Sequence, residues 1–471
     1  MNKTKIVASI GPASNKTEIM KELYQEGMNV VRLNLSHGGY DFCKDVVAKV
    51  KAINKELKSN IAVMLDTKGP EIRVGRIDNG EVFLKKGEQI RIFTEDFLGN
   101  ESKISVNYEN FVKVLNVDNI IKLNDGKISL KVIDKGFDFL LCEILNDGVL
   151  ESYKGVNVPG VALNLPFLSE EDKKDIEFAN EIGVDFLALS FVSNAEDVLT
   201  VNDLLIDMNN NHMGIIAKIE TADAVEDIDN IIRVSDGVMV ARGDLGVEVP
   251  LEKIPSIQKM ILSKCHAAGK ISLVATEMLS SMENEARPTR AEVSDVANAV
   301  LDGADAIMLS GETTIGKYPV ETLEMMRKIV QSTEEDYPYL NFLEEAKNME
   351  KYDVTGSIAY GVVDCVDRLK CKAIVVPTMS GYTARIMSHF RPCSPIIAIT
   401  PDEGTLKSLS LYFGVHAVLV DDFHSFDEMM KIALETVKKI LPVNAGDKII
   451  VTGGYPFKKV KSTNFMKIEE L

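Results

Sequence analysis

A lysine and a glutamate stand together at the end of an apolar segment, GIIAKIE at residues 214–220. Such an uninterrupted apolar run is typical of a strand that is covered on both faces. Burying a charged side chain without a partner is strongly unfavourable. Lys218 and Glu220 are therefore expected either to pair with each other for structural reasons or to bind a charged ligand.

Polar residues or glycine also follow most of the other short apolar segments in the first two thirds of the chain. They are Arg32, Asn34, Ser36 and His37; Asp66, Thr67 and Lys68, with Glu71 and Arg73 just beyond; Arg242, Gly243 and Asp244; Thr276 and Glu277; and Ser310 and Glu312. Carboxylate ligands with room for water favour Mg²⁺ or Mn²⁺ over zinc. The arginine and lysine side chains of the set would attract an anion. Taken singly, Asp66 and Asp244 could instead be helix N-caps and His37 a loop residue.

The segments that carry these residues recur with a regular rhythm. Eight apolar runs alternate with helical patterns, at residues 5–10, 29–37, 61–69, 185–192, 214–220, 237–245, 271–279 and 306–313. Eight strand–helix units are the count of a (β/α)8 TIM barrel, whose chemistry lies at the C-terminal ends of the strands. The barrel would bring the polar strand ends together around one mouth.

Two regions break this rhythm. Residues 71–157 alternate between apolar and polar positions with Gly and Asn/Asp turns, which predicts a small antiparallel β domain inserted in a barrel loop. Beyond the acidic connector at 334–351, apolar runs and helical patterns resume and predict a C-terminal open α/β domain. The predicted domains are a barrel at 1–70 and 158–340, the inserted β-barrel lid domain at 71–157, and an α/β regulatory domain at 341–471.

One loop of the last domain, TMSGYTAR at 378–385, joins a strand to a helix. Thr378, Ser380, Gly381 and Thr383 could form a phosphate cradle there with the backbone amides. An ordinary turn capped by Ser380 would give the same spacing, so both interpretations stay open.

Composition excludes several classes of function. The 53 basic and 71 acidic residues give a net charge of −18, which disfavours general binding to nucleic acids or anionic membranes. The six cysteines form no CxxC pair, a pattern that suits reduced thiols rather than a zinc site or a disulfide framework. No apolar stretch is long enough for a signal peptide or a membrane span, so we expect a soluble cytoplasmic protein.

An ordered set of motifs resembles the pyruvate kinase family over nearly the whole chain. It comprises KTKIVASIGPAS, NVVRLNLSHG, MLDTKGPEIR, KGVNVPG, IIAKIE, VMVARGDLGVE, ATEML, RPTRAEVSDVANAVLDGADAIMLSGET and TMSGYTAR. The family's barrel, inserted β domain and C-terminal α/β domain match the predicted layout. The resemblance implies transfer of the phosphoryl group of phosphoenolpyruvate to ADP, which gives pyruvate and ATP in the last step of glycolysis.

The resemblance also implies roles for individual residues. Mg²⁺ (or Mn²⁺) would be bound by Glu220 and Asp244, and K⁺ by Asn34, Ser36, Asp66 and Thr67. Catalysis would involve Lys218, Arg32 and Thr276, and the substrate would also contact Ala241, Arg242, Gly243 and Asp244. The nucleotide would contact Arg73, Lys154, Asn34 and His37. Glu71 stands where K⁺-dependent relatives carry glutamate and K⁺-independent ones tend to carry lysine.

The resemblance further implies a homotetramer and allosteric control by a phosphorylated metabolite bound near Thr378, Ser380, Gly381 and Thr383. Two departures from the family pattern matter. Glu277 replaces the usual glutamine beside the substrate, and Met379 and Tyr382 replace basic residues that favour fructose bisphosphate in some relatives. A sugar monophosphate or a nucleoside monophosphate is therefore the expected effector.

Two other functions fit parts of the pattern. A Mg²⁺-dependent lyase or aldolase acting on an enolpyruvate-like or oxaloacetate-like acid could use the same barrel mouth, but it would need no inserted lid and no Lys154. A catalytically inactive sensor of phosphorylated metabolites could use the C-terminal loop, but it would not need Lys218, Glu220 and Asp244 together. Turnover with and without ADP separates these alternatives.

Overall fold

The fold is described from a computed structural model of the whole chain. It describes every residue except 162, 164, 211, 348–352 and 457–462, and it describes the backbone alone at residues 36, 37 and 345–347. Among the described residues, no helix combines the length and the hydrophobicity that crossing a lipid bilayer requires.

The N-terminal segment supplies three parallel strands and two helices of a barrel. They are β1 (Lys5–Ser9), α1 (Thr17–Gln25), β2 (Met28–Asn34), α2 (Leu35–Leu57) and β3 (Ala62–Asp66). Every side chain of β1 and β3 is buried, as the continuous apolar runs predict. Gly39 interrupts α2 with φ 64° and ψ 171°, a conformation that glycine adopts without strain.

The inserted β domain follows β3. Its elements are β4 (Glu81–Leu84), β5 (Gln89–Phe93), β6 (Lys103–Ser105), α3 (Phe111–Val114), β7 (Ile120–Leu123), β8 (Ile128–Lys135), β9 (Phe139–Ile144), β10 (Gly148–Glu151) and β11 (Val156–Asn157). They form a six-stranded sheet in the order β11-β7-β8-β9-β5-β6 and a β10-β4 ribbon. The strands pair antiparallel except β5 and β6, which run parallel. The domain has its own apolar core, so it is a separate unit as predicted.

The chain then returns to complete the barrel. The elements are α4 (Glu170–Ile182), β12 (Phe186–Val192), α5 (Ala195–Asp207), β13 (Gly214–Ile219), α6 (Ala222–Glu226), α7 (Ile228–Val234), β14 (Gly237–Ala241), α8 (Arg242–Glu248), α9 (Ile254–Ala268), β15 (Ile271–Ala275), α10 (Arg290–Leu301), β16 (Ala306–Leu309), α11 (Gly311–Thr314) and α12 (Pro319–Glu335). The eight parallel strands close in the order β1-β16-β15-β14-β13-β12-β3-β2. Capping boxes at Ser169 and Thr289 begin α4 and α10. The predicted (β/α)8 barrel is confirmed.

The C-terminal domain is an open α/β sheet. Its elements are α13 (Tyr339–Lys347), α14 (Val354–Leu369), β17 (Ala373–Pro377), α15 (Tyr382–His389), β18 (Ile396–Thr400), α16 (Glu403–Ser408), β19 (Val415–Leu419), α17 (Phe426–Ile440), β20 (Lys448–Gly454) and β21 (Thr463–Glu470). The strand order is β19-β18-β17-β20-β21, with only β21 antiparallel. Helices α12 and α13 cover most of the acidic connector expected at 334–351, whose last residues lie outside the described part.

A buried cation joins this domain to the base of the barrel. Arg391 is 2% exposed, and its Nη1 lies 3.0 Å from Oδ1 of Asp305, just before β16. Its Nη2 donates to the carbonyl of Gly303 at 2.7 Å. Beside it, His266 of α9 stacks on His389 of α15 with 4.7 Å between ring centroids. The C-terminal domain is therefore packed on the barrel through charged as well as apolar contacts.

This histidine pair predicts loss of stability in acid. Burial, then Arg391, lowers the pKa of His266 to about 2 and that of His389 to about 4, although Asp305 opposes the shift at His389. Because both folded-state pKa values lie below the unfolded value of about 6.5, this contribution is complete above that pH and is lost as the pH falls, down to about 4 for His389 and about 2 for His266. Between pH 7.5 and pH 5 the free energy of unfolding should fall by up to about 2 kcal/mol for each of the two histidines.

Thermal unfolding between pH 7.5 and 5 measures this loss. Removing one histidine, as in His389→Gln, should flatten the pH dependence of the midpoint. If the midpoint changed equally with pH in the wild type and in His389→Gln, His389 would not be a source of the acid sensitivity.

Candidate active site

The C-terminal ends of β2, β3, β12 and β13 meet at one side of the barrel mouth. Asn34, the last residue of β2, lies directly opposite Asp66, the last residue of β3, in the strand register. Lys218 lies near the end of β13, and Glu220 follows that strand. Strand pairing therefore brings together residues that are far apart in the sequence.

Lys218 is the centre of a buried charged cluster. Its Nζ lies 2.8 Å from Oε1 of Glu220 and 3.2 Å from Oδ2 of Asp66, and it donates to Oγ of Ser190 at 2.8 Å. Nη2 of Arg32 lies 2.5 Å from the same Asp66 oxygen. Lys218 is 8% exposed, and Glu220 and Asp66 are each 1% exposed. Two cations and two carboxylates thus share one desolvated site.

The cluster fixes the charge state of its members. Burial opposes the charge on Lys218, but Glu220 and then Asp66 hold its pKa above the ordinary value. Burial likewise acts against the charge on Asp66, yet Arg32 and Lys218 hold the pKa of that carboxyl below its usual range. Lys218 is therefore an ammonium and Asp66 a carboxylate at neutral pH.

Glu220 and Asp244 form a pair of carboxylates beside this cluster. Asp244 lies in the first turn of α8, directly after β14. Burial, and then the charge of Glu220, raise the pKa of Asp244 to about 7. Two neighbouring carboxylates repel each other unless a cation lies between them, so the pair is suited to a divalent metal ion held by hard oxygen ligands.

The residues that are predicted to line the substrate lie where β14 and β15 end. The backbone N–H of Gly243 donates to Oγ1 of Thr276 at 2.8 Å, and Nη2 of Arg242 donates to the Thr276 carbonyl at 2.7 Å. Thr276 and Glu277 have φ of 68° and 53°, a left-handed conformation that costs energy in a β-branched residue. The contacts from Arg242 and Gly243 hold this strained turn in place.

Two of the four predicted nucleotide contacts, Arg73 and Lys154, lie in the inserted domain. Arg73 donates to Oε2 of Glu71, with Nη2 at 2.5 Å, and to the carbonyl of Tyr153 at 2.9 Å. Nζ of Lys154 lies 3.1 Å from Oε2 of Glu151. Among the described residues, the hydrogen-bond and ion-pair partners of both side chains lie on the inserted domain. Arg73 and Lys154 therefore lie near each other but belong to a different unit from the Lys218 cluster.

The inserted domain touches the barrel at α8, the helix that carries Asp244. Nδ2 of Asn157 donates to Oε1 of Glu248 at 3.1 Å. Asp125 of the inserted domain is close enough to contribute to the raised pKa of Asp244. The domain therefore lies over the side of the mouth that carries Asp244.

Two other strand-end residues, Lys68 and Glu312, make contacts within the protein. Lys68 pairs with Glu171 at the mouth rim. Glu312 accepts from the backbone N–H groups of Leu279 and Ser310 at 3.0 and 2.8 Å, which makes it a structural clamp. The side chains of Ser36 and His37, for which cation and nucleotide contacts are expected, lie outside the described residues.

The C-terminal loop is a turn in which Gly381 precedes helix α15, so the Ser380 cap of the ordinary-turn interpretation is not formed. Gly381 has φ 74° and caps α15, and its N–H donates to Oγ1 of Thr378 at 2.9 Å. Ser380 is exposed, whereas Thr383 shares a hydrogen bond with Thr463 at 2.6 Å. Arg385, which the sequence analysis does not single out, lies beneath the loop, since a Cβ on Gly381 would stand 3.4 Å from its Nε.

Two contacts of the Lys218 cluster are also missed by sequence reasoning. Ser190 accepts from Lys218, and the backbone N–H of Phe191 donates to Oε2 of Glu220 at 2.7 Å. Both residues lie in β12, where the register against β13 shifts between Leu189 and Val192. The sequence does contain one signal that could have identified Ser190: it is the polar residue in the apolar segment FLALSFV.

Comparison with known proteins agrees with this architecture. The family model described as "Pyruvate kinase, barrel domain" matches residues 1–323, and the one described as "Pyruvate kinase, alpha/beta domain" matches residues 356–469. The chain belongs to the pyruvate kinase family.

Individual relatives match over nearly the full chain. The pyruvate kinase of Geobacillus stearothermophilus is 43% identical over 99% of this chain and 80% of its own length. Those of Clostridium acetobutylicum and Clostridium perfringens are 40% and 41% identical, over 100% of this chain and 99% and 100% of their lengths. The chain is accordingly a phosphotransferase that moves the phosphoryl group of phosphoenolpyruvate to ADP.

Proposed function

We propose that the Lys218 cluster at the barrel mouth is where this phosphoryl transfer takes place. The supporting observation is the buried ammonium of Lys218, held 2.8 Å from Glu220 and 3.2 Å from Asp66. Phosphoenolpyruvate and ADP are both polyanions, so the reaction depends on positioning them and neutralising the charge between them. Lys218 would stabilise the loose transition state, and Arg32 would bind the phosphate.

Glu220 and Asp244 would bind the divalent cation, Mg²⁺ or Mn²⁺. A cation bound there would neutralise phosphate charge and polarise the enol oxygen of the substrate. The backbone from Ala241 to Gly243 would line the substrate carboxylate, with Thr276 beside the methylene carbon. Arg73 and Lys154 would contact the nucleotide, and the inserted domain would keep water from intercepting the phosphoryl group.

The residues proposed for K⁺ fit a monovalent cation. Oδ1 of Asp66 is buried without a hydrogen-bond partner among the described residues, although Oδ2 of the same carboxylate is shared by Arg32 and Lys218. Asn34 lies opposite in the register, and Thr67 follows in the chain. Ser36 completes the proposed set.

A coupled assay for pyruvate tests the proposed reaction against a lyase. With Mg²⁺ and K⁺ present, pyruvate should form from phosphoenolpyruvate only when ADP is added. Pyruvate formation at the same rate without ADP would favour the lyase, and absence of turnover would favour the sensor. We place this activity in the cytoplasm and in a homotetramer, as the resemblance implies.

Removing either proposed metal ligand should raise the Mg²⁺ requirement. Asp244→Asn and Glu220→Gln each take away one negative hard-oxygen ligand, so the half-activating Mg²⁺ concentration should rise by about tenfold or more. Glu277→Gln is the matched control, because Glu277 is an exposed carboxylate at the same mouth. Unchanged Mg²⁺ dependence in both ligand variants would place the metal elsewhere.

The C-terminal loop is the proposed site for the phosphorylated effector. Ser380 is the exposed hydroxyl residue of this loop. Arg385 packs against Gly381, and its Nε is buried without a hydrogen-bond partner among the described residues. We expect a sugar monophosphate or a nucleoside monophosphate to bind there. Screening the coupled assay with phosphorylated metabolites would identify it.

Ser380→Asp should abolish activation by such an effector and leave basal turnover intact, because a carboxylate in the loop repels phosphate. Ser380→Asn introduces a side chain of similar size without the charge, so this variant should retain most of the activation by the effector. Activation curves of the three proteins provide the measurement, and a full response in Ser380→Asp would place the regulatory site outside this loop.

A further inference from the structure

Ser190 lies between Lys218 and the loop that follows β3. Its Oγ accepts from Nζ of Lys218 at 2.8 Å and donates to the carbonyl of Thr67 at 2.8 Å. Its backbone N–H donates to Oγ1 of Thr67 at 3.2 Å. Ser190 is 4% exposed, so water does not compete for these contacts. The hydrogen bond to Thr67 turns the hydroxyl so that its lone pairs face Lys218.

The backbone around Ser190 is shaped for this contact. Phe191 has φ 56°, in the left-handed region, and its N–H donates to Oε2 of Glu220 at 2.7 Å. The loop after β3 packs tightly on it, since a Cβ on Gly69 would stand 2.8 Å from the Ser190 carbonyl oxygen. The irregularity in β12 thus directs two adjacent residues at Lys218 and Glu220, as strand bulges near active sites do.

Glu220, Asp66 and Ser190 all contact the Lys218 ammonium, but they differ in whether they could also bind a cation. Glu220 and Asp66 are carboxylates, and each would also serve a bound cation under the proposed function. Ser190 is neutral, so it can hold the ammonium without drawing it away from a phosphoryl group. Within the part of the chain that the structure describes, it is the uncharged partner that fixes the direction of Nζ without adding negative charge.

We propose that Ser190 is a positioning residue for Lys218 in the phosphoryl-transfer step. This rests on the proposed role of Lys218. Lys218 has a flexible four-carbon stem, and a charge-assisted hydrogen bond limits where its ammonium can lie. Misplacing a catalytic group by about an ångström is enough to reduce the rate strongly.

Ser190→Ala tests the proposal. Turnover (kcat) should fall by about 10- to 100-fold, the range expected for a hydrogen bond to a charged group. The KM for phosphoenolpyruvate should change by less than about threefold, since the charge of Lys218 stays in place. Ser193→Ala is the matched control. Its hydroxyl makes only a 3.5 Å contact with the Phe191 carbonyl, and kcat should change by less than about twofold.

A double-mutant cycle separates positioning from a general structural effect. If Ser190 acts through Lys218, adding Ser190→Ala to Lys218→Met should change the residual kcat by less than about twofold. An equal fall in both backgrounds, or an unchanged kcat in Ser190→Ala alone, would overturn the proposal. If Ser190→Ala fails to fold, Ser190→Cys provides the same cycle, because sulfur keeps the volume but accepts hydrogen bonds weakly.

The double-mutant cycle also distinguishes failure of the positioning role of Ser190 from failure of the proposed catalytic role of Lys218. A normal kcat in Lys218→Met would refute the role of Lys218 itself. A collapsed kcat in Lys218→Met with additive loss from Ser190→Ala would refute the positioning role alone.

Discussion

Lys218→Met is expected to lower kcat by at least about a hundredfold while the affinity for phosphoenolpyruvate changes much less. The ammonium lies in a desolvated site between Glu220 and Asp66, where electrostatic interactions are stronger than in water. Its charge is needed most when negative charge moves between the two substrates in the transition state. Steady-state kinetics and direct measurement of phosphoenolpyruvate binding give the two quantities separately.

The substitution also leaves Glu220 without its nearest cation, so some loss of stability is expected. Circular dichroism and thermal unfolding establish that the variant is folded. Lys68→Met is the matched control, because Lys68 is a lysine of the same mouth that pairs with Glu171 at the rim. A variant that loses affinity but keeps kcat would mean that Lys218 only binds the ground state.

Strong activation by K⁺ is the second large effect that we expect. Asp66 supplies the one formal charge among the proposed K⁺ ligands, and Glu71 is expected to add a second negative charge nearby. NH₄⁺ should substitute fairly well and Na⁺ poorly, because the smaller ion fits a K⁺-sized site badly. Replacing K⁺ by tetramethylammonium at constant ionic strength should lower turnover by about tenfold or more.

The contacts of Glu71 sharpen this prediction. Oε2 of Glu71 accepts two hydrogen bonds from Arg73, at 2.5 and 3.0 Å. Glu71→Lys would therefore free Arg73, and the new ammonium is expected to lie near the proposed cation site. We expect the variant to depend less on K⁺ and to retain part of its turnover.

Glu88→Lys makes the same change of charge at an exposed position of the inserted domain and is the control. Its K⁺ dependence should equal that of the wild type. Full turnover of the wild type in tetramethylammonium would refute Asn34, Ser36, Asp66 and Thr67 as an essential ion site.

The sequence predicted the fold well where hydrophobicity alone decides it. Continuous apolar runs marked all eight barrel strands, because each is buried on both faces. Strand β21 was missed because TNFMKIEE is an edge strand with mostly exposed side chains, so it carries no such run. The parallel pairing of β5 and β6 depends on contacts across the sheet that a local pattern does not record.

The site was predicted in part. Lys218, Glu220 and Asp66 stand out because charged residues at the ends of apolar strands are unusual. Ser190 and Phe191 do not, since a bulge in β12 and a positive φ determine what they contact. The left-handed turn at Thr276 and Glu277 is equally invisible in the sequence, because neither residue favours that conformation.

We propose that the phosphoryl group passes directly from phosphoenolpyruvate to ADP at the charged cluster around Lys218. Phosphorus NMR of a reaction with both substrates, Mg²⁺ and K⁺ follows the fate of that group. ATP should appear as fast as phosphoenolpyruvate disappears, with no accumulation of inorganic phosphate. Inorganic phosphate in amounts comparable to ATP, or loss of phosphoenolpyruvate without ADP, would contradict the account.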